Sequence, residues 1–179
     1  MYPPPWLLNH TVGIIYPSFL TYFLACRGMK ADLFIDGGFL DYVIKAVNNG
    51  KHPSAFNYEM FADEICKLFG YTRNRTYYYH CYPFEHRNPT EEQKEFVRKR
   101  RIFLNSLQRT PRFIFKPGRV NAVTNFCQKC HEKIICRKCG NELLLRQKSA
   151  DTQLAVDAVI LALKKQTEAI VLIGGDADF

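Results

Sequence analysis

"AIVLIGGDADF", residues 169–179, is the stretch whose reading decides the fold. Five apolar residues run unbroken from Ala169 to Ile173. Two glycines follow, and then come Asp176, Ala177, Asp178 and Phe179. An apolar run without polar alternation, closed by glycines, reads as a strand buried on both faces. Strands of that kind belong to parallel sheets covered by helices. Such sheets bind their ligands just outside the carboxyl ends of the strands. Asp176 and Asp178 therefore fall where an active crevice is expected.

The upstream segments alternate strand and helix. "ADLFID" (31–36) is a short apolar run flanked by Gly28 and Gly37, another buried strand. "GFLDYVIKAVNN" (38–49) sets Phe39, Leu40, Val43, Ile44 and Val47 at helical spacing. "NYEMFADEICKLFG" (57–70) does the same with Phe61, Ile65, Leu68 and Phe69, and Gly70 suits its C-terminal cap. "RTYYYHCYPF" (75–84) is aromatic and β-prone, and Tyr77, Tyr78 and Tyr79 alternate across it, so at least one is core. In "NPTEEQKEFVRKRRIFLNSLQ" (88–108), Thr90 and Gln93 form a capping box, Glu91 and Glu92 suit the first turn, and Phe96, Phe103, Leu104 and Leu107 share a face. "PRFIFKPG" (111–118) reads as a strand, about 124–146 as a cysteine-rich insert, and "DTQLAVDAVILALKKQ" (151–166) as an amphipathic helix leading into the strand at 169–175. The expected fold class is α/β: a Rossmann-like three-layer α/β/α arrangement around a parallel sheet.

Composition agrees with a globular domain. Of 179 residues, 47% are hydrophobic and 14% aromatic, which excludes a disordered chain. The net charge of +8 favours a polyanionic partner such as RNA, DNA or an anionic membrane face, and its clustering puts nucleic acid ahead. Residues 1–28 carry no Lys or Arg before Arg27, unlike a signal peptide. Their apolar run from about Thr11 to Cys26 is broken by Pro17 and falls short of the ~20 residues of a spanning helix, which argues against a membrane anchor. The domain is expected to begin at Met29, with 1–28 an extension. Cys26, Cys66 and Cys81 stand alone in apolar surroundings as buried thiols, and a reducing compartment, the cytoplasm, fits them.

Asp36 ends the strand 31–36, Asp151 opens the helix that leads to the last strand, and Asp176 and Asp178 follow that strand. If the strands at 31–36 and 169–173 are neighbours, these carboxylates converge. Converging carboxylates repel and call for a divalent cation, and hard oxygen donors suit Mg²⁺ or Mn²⁺. The chemistry so supported is phosphodiester hydrolysis by in-line attack of metal-activated water. Taken singly, each aspartate reads equally as a turn, cap or loop residue. Asp157 lies six positions after Asp151, off that helix face, and either supports the site from the side or sits at the surface.

"LFIDGGFL", "KSADTQLAVDAVILAL" and "IVLIGGDADF", with the segments between them, resemble the NYN domain, in its LabA-like branch, of the PIN-like nuclease superfamily, over about 29–179. The resemblance implies a PIN-like fold, ribonuclease activity, RNA as substrate, no small-molecule organic cofactor, and a Mg²⁺ or Mn²⁺ site at Asp36, Asp151, Asp176 and Asp178. Homo-oligomers stay open. Ser149 and Ala150 replace a commoner Gly-Val, Ala177 replaces a frequent Ser, and Phe39 stands where many relatives carry Asn. In a doubly wound fold a further helix and strand normally follow a loop like 174–179. The expectation is therefore a fragment, lacking roughly 30 or more residues at its C-terminal end, the size of one crossover unit. The rival readings are a catalytically silent RNA- or protein-binding module using the same cleft, and a phosphatase of small molecules.

"CQKCHEKIICRKC" sets Cys127, Cys130, Cys136 and Cys139 as two C-x-x-C pairs, the spacing of a tetrahedral Zn²⁺ site. A four-thiolate site is closed and structural, a small zinc ribbon. Lys129, Lys133, Arg137 and Lys138 decorate it, either as an RNA-gripping surface or as a solvated face. On the long helix, Arg98, Lys99, Arg100 and Arg101 read as a largely solvated run, with the Arg100 stem along the core.

Overall fold

The computed structural model describes residues 28–50, 56–86, 88–124, 126–127, 129–135, 143–148 and 150–175. Its elements are β1 (Lys30–Asp36), α1 (Gly37–Val47), α2 (Tyr58–Leu68), β2 (Thr72–Cys81), α3 (Glu91–Arg109), β3 (Phe113–Thr124), β4 (Leu143–Lys148), α4 (Ala150–Leu163) and β5 (Ala169–Ile173). The sheet runs β4-β3-β2-β1-β5. β1 pairs in parallel with both β2 and β5, and β2 pairs in parallel with β3. From Ala31 to Ile35 β1 is fully buried, Asp32 included, whose Oδ1 accepts from the Asn74 amide (2.9 Å) and the Arg75 backbone N–H (3.1 Å). Its side chains alternate between two cores. Leu33 and Ile35 pack with Leu40, Ile44, Tyr58, Ala62 and Leu104 under α1, α2 and α3. Phe34 packs with Tyr77, Tyr79, Ala150 and Leu154 under α4. These are the three layers expected. All three tyrosines of 77–79 are buried, on alternating faces.

Strand order steps outward from β1 to β2 to β3, then returns to the other side of β1 for β5. The sheet therefore reverses between β1 and β5, the place where ligands lodge in open α/β sheets. The neighbouring of β1 and β5 holds, with Ile35 level with Ile173.

Four features depart from the sequence reading. First, β3 does not stop at Gly118. It continues to Thr124 and pairs antiparallel with β4, from Arg119↔Lys148 to Thr124↔Leu143. Pro117 suggested an end because it lacks an N–H. It is tolerated because β4 joins only from Arg119 on, so β3 is an edge strand at residue 117. Gly118 is level with Cys81, the last residue of β2. The six β3–β4 pairs thus rise about 20 Å past the carboxyl edge of the parallel strands as a two-stranded ribbon. Second, α4 is not simply amphipathic, because Val156, Val159, Ile160 and Leu163 form an exposed apolar stripe opposite its buried face. Third, the buried face of α2 is Tyr58, Ala62 and Cys66. Of the apolar residues at helical spacing, Phe61, Ile65 and Phe69 pack partly buried against the same core, whereas Leu68 is exposed, and all four line an apolar groove beside β5. Fourth, Phe96 is 63% exposed while Leu104 and Leu107 are buried. The 19-residue helix α3 buries its later turns on the sheet, whereas its first turns overhang the carboxyl edge beside the loop that leaves β2 and leave Phe96 exposed. The Thr90–Gln93 capping box that starts it is formed, and Gly70 takes the positive φ of a cap residue. No described helix is long and apolar enough to cross a membrane. The extension 1–27 lies outside the described residues, as does the loop 176–179.

Candidate active site

β1 ends by capping the helix that follows. Asp36 is the N-cap of α1, and its Oδ1 accepts from the backbone N–H groups of Gly38 (2.8 Å) and Phe39 (3.3 Å). These are orphan donors of a first helical turn, so the carboxylate is locked in orientation. Its Oδ2 has no hydrogen-bond partner among the described residues. Gly37 is buried, and a Cβ there would sit 2.6 Å from ring atoms of Tyr78 and 2.7 Å from the ring of His80. The first turn of α1 is thereby pressed onto the carboxyl end of β2.

β5 leaves the sheet against the same turn. A Cβ on Gly175 would collide with the Phe39 ring, so the backbone there runs flush along that ring. Phe39 is the residue whose N–H Asp36 holds. The chain that continues to Asp176 and Asp178 therefore departs beside Asp36, although those two residues lie outside the described part.

Asp151 is the second residue of α4 and exposed, a first-turn acid rather than an N-cap. Lys148, three residues earlier, is level with Arg119 just past the parallel strands, so α4 starts at the carboxyl edge. Asp157 lies about 9 Å further along the helix axis. Its Oδ2 accepts from the Tyr79 hydroxyl (3.0 Å) and pairs with Lys116 (3.1 Å). Tyr79 is level with Asp36. Asp157 is thus tied through Tyr79 to the end of β2 that flanks Asp36, and Lys116 balances its charge. Burial first, and then the Asp157 charge, push the Tyr79 hydroxyl far up. Among the described residues no three His, Cys, Asp or Glu gather as a metal site; Asp36 and Asp151 are two of the four carboxylates expected, and the others are outside that part.

A buried ionic cluster behind Asp36 escaped the sequence reading. Asp41 of α1 pairs with Arg100 of α3, whose Nη2 also lies 2.6 Å from His80 Nε2. His80 Nε2 is 3.5 Å from Asp41 Oδ2, and His80 Nδ1 donates to the Cys81 carbonyl (2.8 Å). The Arg100 guanidinium stacks over Phe103 at 4.9 Å, the core-lying stem foreseen. Burial pushes the Asp41 carboxyl up, but the His80 hydrogen bond and the Arg100 charge outweigh it, leaving its pKa below the ordinary value. The available signal was an Asp set between Leu40 and Tyr42 on a helix face that is otherwise apolar.

Beyond Thr124, Phe126 and Lys133 form an isolated antiparallel bridge. Between them Cys127 N–H donates to Glu132 O (2.8 Å), His131 N–H donates to Cys127 O (2.9 Å), and His131 has a left-handed φ of 59°. The backbone N–H of Cys130, then that of Lys129, aim at the Cys127 sulfur and hold its thiol below the ordinary pKa. Thiolates bind metal, and donors arranged around sulfur favour that form. Cys136 and Cys139 lie outside the described residues. Of the isolated cysteines, Cys66 and Cys81 are buried as expected, and burial pushes the Cys66 thiol up to about 11.

Residues 30–179, from the start of β1 onward, match the NYN domain family. The chain belongs to this family. That membership places the NYN domain in the PIN-like nuclease superfamily, whose coarse activity is that of a ribonuclease. No curated protein and no solved structure matches this NYN domain significantly.

Proposed function

We propose that this NYN domain is an endoribonuclease dependent on Mg²⁺ or Mn²⁺, with Asp36, Asp151, Asp176 and Asp178 as the carboxylates of its site. One observation carries the reading: β5 lies beside β1 and its exit at Gly175 runs along Phe39, the residue that Asp36 caps. The donor set is all carboxylate oxygen, which fits a hard cation, and Asp36 Oδ2 has no hydrogen-bond partner among the described residues. Such a cation, when bound, supplies charge that polarises a phosphate and acidifies water. The chain does the rest. Asp36 is oriented by the N–H groups of α1 before any ligand arrives, so little reorganisation is needed. The N-termini of α1 and α4 both open at the carboxyl edge, where their partial positive charge favours a phosphate. Asp157 and Lys116 hold Tyr79, and with it the β2 wall, in place.

Between Arg119 and Lys148 the sequence carries seven Lys and Arg against two Glu, five of the eight net positive charges. A ribbon so charged, standing on the carboxyl edge, suits the RNA backbone. Its tip is proposed to be held by one Zn²⁺ on Cys127, Cys130, Cys136 and Cys139.

The rival, a silent RNA-holding module in the same cleft, draws on Phe39, an apolar ring at the position where many relatives carry Asn. Incubating the full chain with mixed RNA and Mn²⁺ separates the two. The nuclease reading expects cleavage that is lost in Asp36→Asn and in Asp176→Asn, both still folded. RNA retained without cleavage by the unaltered protein supports the silent module.

A further inference from the structure

The loop that leaves β2 and the overhanging turns of α3 enclose a cavity of about 420 Å³ that the proposed site does not use. Phe84 and His86 form one wall, with ring centroids 5.0 Å apart and set edge to face. Val97 and Ile102 add apolar lining, Gln93 and Asn105 polar lining, and Lys94, Arg98 and Arg101, each more than half exposed, bring charge to the rim. Ile102 is 55% exposed there, an apolar surface in the middle of a long charged helix. Each rim cation is paired with a glutamate, Lys94 with Glu91, Arg98 with Glu95 and Arg101 with Glu85. These exposed pairs are worth little and are screened by salt, so a phosphate can compete for the cations.

The cavity's position suits substrate. Tyr79 is level with Asp36, and Phe84 is five residues further on, so their Cα atoms are at most about 18 Å apart. That is a span of a few nucleotides. Apolar and aromatic walls exclude a bare phosphate from the interior, whereas a planar base fits a ring wall and an apolar lining. Cations around the mouth then meet the phosphates on either side of it.

We propose that this cavity is a nucleobase subsite, which takes one unstacked base of single-stranded RNA while Arg98 and Arg101 contact the adjoining phosphates. The proposal rests on RNA being the substrate but not on cleavage. It is tested by fluorescence anisotropy with labelled single-stranded RNA, using the full chain carrying Asp36→Asn so that the RNA survives. In that background Phe84→Ala is expected to weaken binding by roughly 5- to 100-fold, the loss of one stacked base, with the salt dependence of binding unchanged. Arg101→Gln is expected to lower the slope of log affinity against log salt by about 0.7, one phosphate contact on a single strand. Phe84→Trp keeps a stacking face and should bind like the parent, which separates stacking from a misfolded loop. Unchanged affinity in Phe84→Ala, equal loss in Phe84→Trp, or no RNA binding by the parent would each overturn the proposal. An unaltered protein that binds RNA through Phe84 yet never cuts it would sink the nuclease reading and leave the subsite standing.

Discussion

Gly37→Ala is a small change with a calculable effect. The added methyl would lie 2.6 Å from two carbons of the Tyr78 ring and 2.7 Å from His80. Neither ring is a flexible end. Tyr78 is fully buried, stacked on His80 at 6.2 Å and edge-on to Tyr58 at 6.0 Å. Forcing a methylene-sized group into such packing costs about 1–3 kcal/mol. Alanine returns up to about 1 kcal/mol of helix propensity, less at the first position of a helix. The balance is a loss of about 1–2 kcal/mol, or a fall in Tm of roughly 2–8 °C for a domain of this size. Thermal unfolding followed by far-UV circular dichroism measures it. The same substitution made on Tyr78→Leu, where the ring is gone, should cost distinctly less. A higher Tm in Gly37→Ala, or equal cost in both backgrounds, would refute the reasoning. Because Asp36 caps the turn that must move, cleavage should fall more steeply than stability.

Two further outcomes are expected. The Asp41 pKa is held below its ordinary value of 3.8, so its contribution is fully present above that pH and is lost as pH falls through the folded value. Asp41→Asn should therefore lower stability by about 3 kcal/mol at neutral pH by stranding Arg100, and urea midpoints should show a flatter acid limb below about pH 4; superimposable acid limbs would contradict the assignment. Protein purified without chelator should carry one zinc per chain by elemental analysis, and Cys127→Ser should lose it while the α/β core keeps its unfolding transition. A metal-free wild type would remove the zinc knuckle from the account.

The parallel sheet was legible because Leu33–Ile35 and Ala169–Ile173 are apolar runs with little polar alternation; β1 is buried on both faces, whereas β5, at the sheet edge, is half-buried apart from Val171. The capping box at Thr90 and the Gly70 cap were legible because each is local chemistry. The ribbon was not. A proline and a glycine at 117–118 mimic a strand end, and "LLLRQK" has no apolar–polar alternation to mark it as a strand. On α2, close packing on the sheet buries Ala62 and Cys66 most deeply, and the larger Phe61, Ile65 and Phe69 pack partly buried around them, which spacing alone does not rank. At the site, Asp36 and its partner strand follow from position alone. The Asp41–His80–Arg100 cluster does not, since its members come from three elements and only tertiary packing joins them.

The pairing of β1 with β5 joins Ala31 to Ala169. The other strand paired with β1 is β2, at 72–81, so during synthesis the crevice has only one strand wall until the segment around 169–175 has left the ribosome. Closing so long a loop is also a slow, late step in folding. A ribonuclease assembled this way passes its nascent life, surrounded by ribosomal and messenger RNA, without a completed site.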